Sequence, residues 1–182
     1  MKRLIYFVIL VLSIMLVSCE EKKKEAVLIP ENTISVDREY MALNYGGDYI
    51  WFETVIVMKD YLDEESTGRI ESVESIFQKV YMSPDSTSAD VKVIRIMHTL
   101  DCDSVEVIDS FWMEDSPLND MKITITYEEA FNIVMESNCI KPHSRYCVLR
   151  RPAGDTCAFY IFGNEERQIF VSAENGKIIE ED

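Results

Sequence analysis

The stretch Tyr49–Met58, Tyr-Ile-Trp-Phe-Glu-Thr-Val-Ile-Val-Met, limits the folds open to this chain more than any other. Successive side chains of a strand point to opposite faces. Trp51, Val55 and Val57 therefore share one face, and Ile50, Phe52 and Ile56 the other. A strand apolar on both faces is covered on both or meets a partner. Gly46-Gly47 just ahead of it signals a turn. The pattern before it, from Thr33, also reads as strand.

Further strands follow. Ile70–Met82 carries two patterns at once. Ile70, Val73, Ile76, Phe77, Val80 and Tyr81 fit a helical stripe. Residues 83–88, Ser-Pro-Asp-Ser-Thr-Ser, read as a hairpin loop, with strand-like Val91–Thr99 beyond. The hairpin favours a strand over Ser75–Met82. Val105–Met113 is a further strand, reached through Asp101–Ser104. The middle of the chain thus predicts an antiparallel meander.

Toward the C-terminus a helix is marked by Thr126-Tyr127-Glu128-Glu129. The Thr126 hydroxyl can accept from the Glu129 amide while the Glu129 carboxylate reaches back, a capping box. Tyr127, Ala130, Phe131, Val134 and Met135 form its apolar stripe, ending near Asn138 ahead of Pro142. Strand candidates follow at Ser144–Arg150, Cys157–Phe162 and Gln168–Ala173. Glu174-Asn175-Gly176-Lys177 predicts a hairpin turn of type I′, with Glu174 and Lys177 as a flanking charge pair.

This order of helix and strands, over about Ile123 to Glu180, resembles a PepSY domain. The specific parts are the Glu129-Ala130 helix start and the closing Ala173-x-Asn175-Gly176-Lys177 turn. Ser172 stands where that pattern often has Asp, and the strands carry extra cysteines. The resemblance implies a non-catalytic module associated with binding and restraining peptidases. A generic helix-on-sheet module fits the same residues.

The N-terminus addresses location. Lys2 and Arg3 precede an apolar run from Leu4 to Val17 that ends in Leu16-Val17-Ser18-Cys19. The run is shorter than the roughly 20 residues of a spanning helix and has the order of an export signal. It resembles a bacterial lipoprotein signal with its lipobox. That resemblance implies cleavage before Cys19 and lipid on its sulfur and amino group, holding the chain on a membrane through more than one acyl chain. Residues 20–24, Glu-Glu-Lys-Lys-Lys, read as the start of a solvated tether reaching about Asn32. Acidic residues after the lipid cysteine also resemble the surface-export signal of Bacteroidetes lipoproteins. The divisions expected are a signal over 1–18, a tether over 19–32, a β-rich region over 33–120 and a PepSY-like module over 121–182.

Composition narrows the partners. The net charge is −15, and loss of a signal holding Lys2 and Arg3 makes it more negative. Such a charge disfavours nucleic acid and anionic lipid. Apolar content near half argues for a packed core.

Beyond Cys19 the chain has Cys102, Cys139, Cys147 and Cys157. An exported chain permits disulfides. Cys147 and Cys157 are the candidate pair, on neighbouring strands across residues 152–155; buried free thiols are the alternative. Cys139, His143 and Cys147 invite a metal reading, but structural zinc usually has close ligand pairs separated by a longer loop, so no metal and no cofactor is expected. Nothing orients His143 as the base of a cysteine nucleophile, and no P-loop or dinucleotide fingerprint is present. Lys141, His143, Arg145, Arg150 and Arg151 cluster in an acidic chain. They read as internal ion pairs or as a site for a carboxylate-bearing ligand. Trp51 and Trp112 allow a further reading as aromatic platforms for a glycan or peptide, although aromatics on apolar strands are more often core.

Together these features predict an α+β, lipid-anchored protein of the cell envelope, on the periplasmic or surface face of the outer membrane. Its expected role is non-catalytic binding of a protein or peptide. The alternatives are a structural part of an envelope assembly and a glycan-binding surface lipoprotein.

Overall fold

A computed structural model describes residues 27–82, 89–109 and 116–181. The chain is α+β, with one eight-stranded antiparallel sheet and, among the described residues, two helices. In chain order the elements are α1 (Pro30–Asn44), β1 (Ile50–Met58), β2 (Ile70–Met82), β3 (Ala89–Thr99), β4 (Asp103–Ile108), α2 (Tyr127–Glu136), β5 (Tyr146–Arg150), β6 (Phe159–Gly163), β7 (Gln168–Ser172) and β8 (Ile178–Glu181). The strand order is β4-β3-β2-β1-β5-β6-β7-β8. A helix followed by a four-strand meander thus occurs twice, and the first strands of the two units pair at the centre.

The helix α1 corrects the expected tether and the strand pattern from Thr33. Pro30 sits in its first turn, where a missing N–H and a fixed φ are tolerated. Pro30, Ile34, Asp37 and Met41 are buried at helical spacing. One of these four is a carboxylate, while Val36 and Leu43 stay exposed. The apolar periodicity that would announce a helix is therefore weak.

The strand reading of Ser75–Met82 holds, and β2 begins earlier, at Ile70. The loop expected at 83–88 and the end of the strand expected to run to Met113 lie outside the described residues. In β1 the expected alternation fails at one point. Trp51 pairs with Phe77 and Glu53 with the adjacent Ile76, a bulge that adds one residue to β1. The extra residue exchanges the faces of everything after it. Trp51 therefore joins Ile56 and Met58 in the core beneath the helices, and Val55 and Val57 turn to the other face.

The capping box of α2 forms as expected. Glu129 N donates to Thr126 Oγ1 at 3.2 Å, and Thr126 N donates to Glu129 Oε2 at 2.8 Å. These bonds to Thr126 hold the Glu129 carboxyl below its usual pKa. A second carboxylate reaches the same end from α1, for Tyr127 N donates to Glu31 Oε1 at 2.6 Å.

The closing turn differs from a two-residue type I′ hairpin. Among the described residues only glycines have positive φ, so Asn175 does not adopt the angle that type requires. Instead Ser172 N donates to Lys177 O at 2.9 Å and closes a longer loop in which Gly176 alone turns left-handed. Glu174 pairs with Lys122 at 3.3 Å rather than with Lys177.

The main core lies on one face of the sheet. Ile34 and Met41 of α1 and Tyr127, Ala130, Phe131 and Val134 of α2 pack with Phe77, Ile94, Leu149, Phe162 and Val171. Both helices therefore cover the same face.

Candidate functional site

The opposite face carries no helix among the described residues, and its side chains form rows across the ladder. Val55 of β1 lies opposite Val148 of β5, which lies opposite Ile161 of β6, then Phe170 of β7, then Ile179 of β8. Adjacent strands are about 4.8 Å apart, so these five make an apolar stripe about 19 Å long. Phe170 stacks edge-on with Phe159, ring centroids 5.9 Å apart. Beyond Val55 the row continues through Glu74 to Met97.

The neighbouring row is charged over much of its length. It runs Glu106, Arg95, Ile76, Glu53, Arg150, Phe159. Arg95 Nε donates to Glu74 Oε1 at 2.5 Å and its Nη1 to Glu106 Oε2 at 3.3 Å. The hydrogen bond to Glu74 is the main reason its pKa rises further. At this face Tyr146 is 53 % and Ile179 44 % exposed, whereas Phe159, Ile161 and Phe170 between the margins are buried.

No family model, curated protein or solved structure matches this chain.

The structure disperses the basic residues singled out from sequence. Lys141 Nζ donates to Ser137 O at 3.0 Å and Cys139 O at 3.2 Å, satisfying carbonyls at the end of α2. His143 stacks on Tyr61, centroids 4.2 Å apart and planes within 7°. Arg145 donates to Met58 O at 2.8 Å and pairs with Glu71. Arg150 stands on the open face opposite Glu53. Arg151, one residue on, belongs to the other face, its Nη1 3.5 Å from Met121 Sδ. A strand rises about 3.3 Å per residue, which separates Arg145 from Arg150 by about 17 Å. The five do not converge on one ligand.

The candidate disulfide is corrected. Cys147 and Cys157 are free thiols. Cys147 is buried in the core beneath the helices, whereas Cys157 packs against Phe159, Ile161 and Phe170 on the other face. The sheet itself separates them. Among the described residues no group of three or more histidine, cysteine, aspartate or glutamate side chains is placed to hold a metal ion.

Trp51 is not an aromatic platform. It is 2 % exposed, and its indole Nε1 donates to Glu53 O and Thr54 Oγ1, each at 3.1 Å. Trp112 and Cys19 lie outside the described residues. Sequence reasoning missed the stripe from Val55 to Ile179. Each member sits in a strand that was foreseen or in the segment after the last turn, but the stripe exists only once five strands are in register.

Proposed function

We propose that this protein is a lipid-anchored, extracytoplasmic, non-catalytic module that holds a protein or peptide on the open face of its sheet. The observation that carries this reading is the face that bears no helix among the described residues, where Tyr146 and Ile179 are exposed and an apolar stripe from Val55 to Ile179 lies beside a row of paired charges. The order Leu16-Val17-Ser18-Cys19 supports the anchor. Among the described residues no helix is long and apolar enough to cross a membrane. In this reading α2 with β5–β8 is the PepSY-like half, and the partner is of the peptidase class that such modules restrain.

The test exploits two adjacent arginines on opposite faces. Arg150→Glu places a negative charge beside the stripe, and Arg151→Glu places one under the helices. Recovery of a partner from envelope extract should fall several-fold with Arg150→Glu and Tyr146→Ala, and hold with Arg151→Glu. Circular dichroism establishes that each variant is folded. Equal recovery with all three folded proteins would remove the open face from the site. Cys19→Ala should abolish fatty-acid labelling and release the chain from the membrane fraction; unchanged labelling sinks the anchor.

A further inference from the structure

Among the described residues, α1 meets the sheet through the apolar Ile34 and Met41, through Glu31 against Tyr160 of β6, through Arg38 over Trp51, and through the ion pair of Asp37 with His98. Its Asp37 is 1 % exposed. Asp37 Oδ1 lies 2.7 Å from His98 Nε2 on β3, and Asp103 Oδ1, at the start of β4, lies 2.8 Å from His98 Nδ1. A neutral imidazole has one N–H and one bare lone pair, whereas the imidazolium donates from both nitrogens. Carboxylates at both nitrogens can be satisfied together only by the charged ring. Ser75 of β2 faces Asp37 at the same place, and among the described residues Asp37 and Asp103 are the charged groups that act on His98.

We propose that His98 is a pH-operated latch, whose imidazolium ties α1 to β3 and β4 and whose deprotonation releases α1 from the sheet.

The two ends of the latch are unequal. The Asp103 side chain is 70 % exposed and is readily hydrated, while that of Asp37 is 2 % exposed. Loss of the ring's proton leaves a buried carboxylate without its countercharge, and an uncompensated buried charge is strongly unfavourable. Burial opposes the charged ring, but the hydrogen bonds and charges of Asp37 and Asp103 outweigh it and hold His98 above the usual histidine pKa. The latch is therefore fully closed below the usual value and opens as pH rises through the raised one. Asp37 acts in the same direction: burial lifts its pKa against the pull of Ser75 and His98, so its ionised form is costly where it sits.

What α1 uncovers is a cleft of about 590 Å³ between it and the sheet, with Trp51 and Phe77 in its lining. Arg38, next to Asp37, holds its guanidinium 5.6 Å from the Trp51 ring. Trp51 therefore reports on the latch.

The chain has two tryptophans, so Trp112→Phe leaves Trp51 as the only probe. Acrylamide quenching of Trp51, amide exchange of α1 referenced to α2, and the ring shifts of His98 are followed from about pH 6 to 9, where histidines titrate. The three midpoints should coincide, with α1 protection falling several-fold across them. His98→Gln should abolish the transition and leave α1 loosely held at every pH. Asp103→Asn, which keeps the inner contact, should move the midpoint to lower pH and covers the case that His98→Gln does not fold. The latch is overturned if His98 titrates while α1 protection stays constant, if His98 does not titrate in this range, or if the transition persists in folded His98→Gln.

Discussion

Single residues show how the core and a surface turn impose different chemistry on the same side chain. Cys147 is fully buried, and that burial drives its thiol pKa well above the ordinary value. A thiol reacts as its thiolate. Cys102 is exposed. In native protein, iodoacetamide should modify Cys102 first and reach Cys147 only on unfolding, as mass spectrometry of timed samples would show. Rapid modification of Cys147 in folded protein would contradict its place in the core. The sequence offered Cys102 only as a cysteine of an exported chain, and Cys147 as a disulfide candidate or a buried thiol. Cys147 owes its environment to the face that register gives it in β5, whereas Cys102 is exposed because it lies in the turn between β3 and β4.

Among the elements, legibility followed locality. The capping box of α2 was readable because Thr126 and Glu129 satisfy each other's neighbourhood within four residues. The strands β5, β6 and β7 were readable for the same reason, as short runs of apolar residues bounded by loop residues. The helix α1 was not, because its buried face includes Asp37, whose partner His98 is 61 residues away. Nor was the bulge in β1, which is set by how Trp51 and Glu53 meet β2. The β6–β7 hairpin carries a constraint of the local kind. Gly163 has φ near +144°, and a Cβ there would run into the Arg167 carbonyl. That carbonyl accepts from Asn164 N at 3.0 Å, and the Gly163 carbonyl accepts from Ser144 Oγ at 2.6 Å. Gly163→Ala should cost on the order of 1–3 kcal/mol, the range for a residue forced into such backbone. A chemical-denaturation midpoint unchanged from wild type would show that the loop relaxes freely.

At the scale of the whole molecule, the residues expected as a C-terminal module, 121–182, share a sheet and a core with the rest. Residues of β5 pair with β1 along Thr54–Leu149 and Val55–Val148. The start of α2 donates two hydrogen bonds to the N-terminal unit, Tyr127 N to Glu31 Oε1 and the Tyr127 hydroxyl to Gly68 O. A fragment of 121–182 should therefore show no cooperative melt by circular dichroism, while the described unit melts in one transition. A sharp transition in the isolated fragment would show that the seam is dispensable. The seam also sets the clock of assembly. Pairing between β2 and β3 or between β6 and β7 closes short loops, but β1 meets β5 only after nearly a hundred residues of intervening chain have been gathered in. Closing such a distant contact is slow. Each half is then left for a time with an unpaired central strand, apolar on both sides. During that interval another copy of the chain competes with the correct half, so the yield of native protein on refolding should depend on concentration more steeply than its final stability suggests.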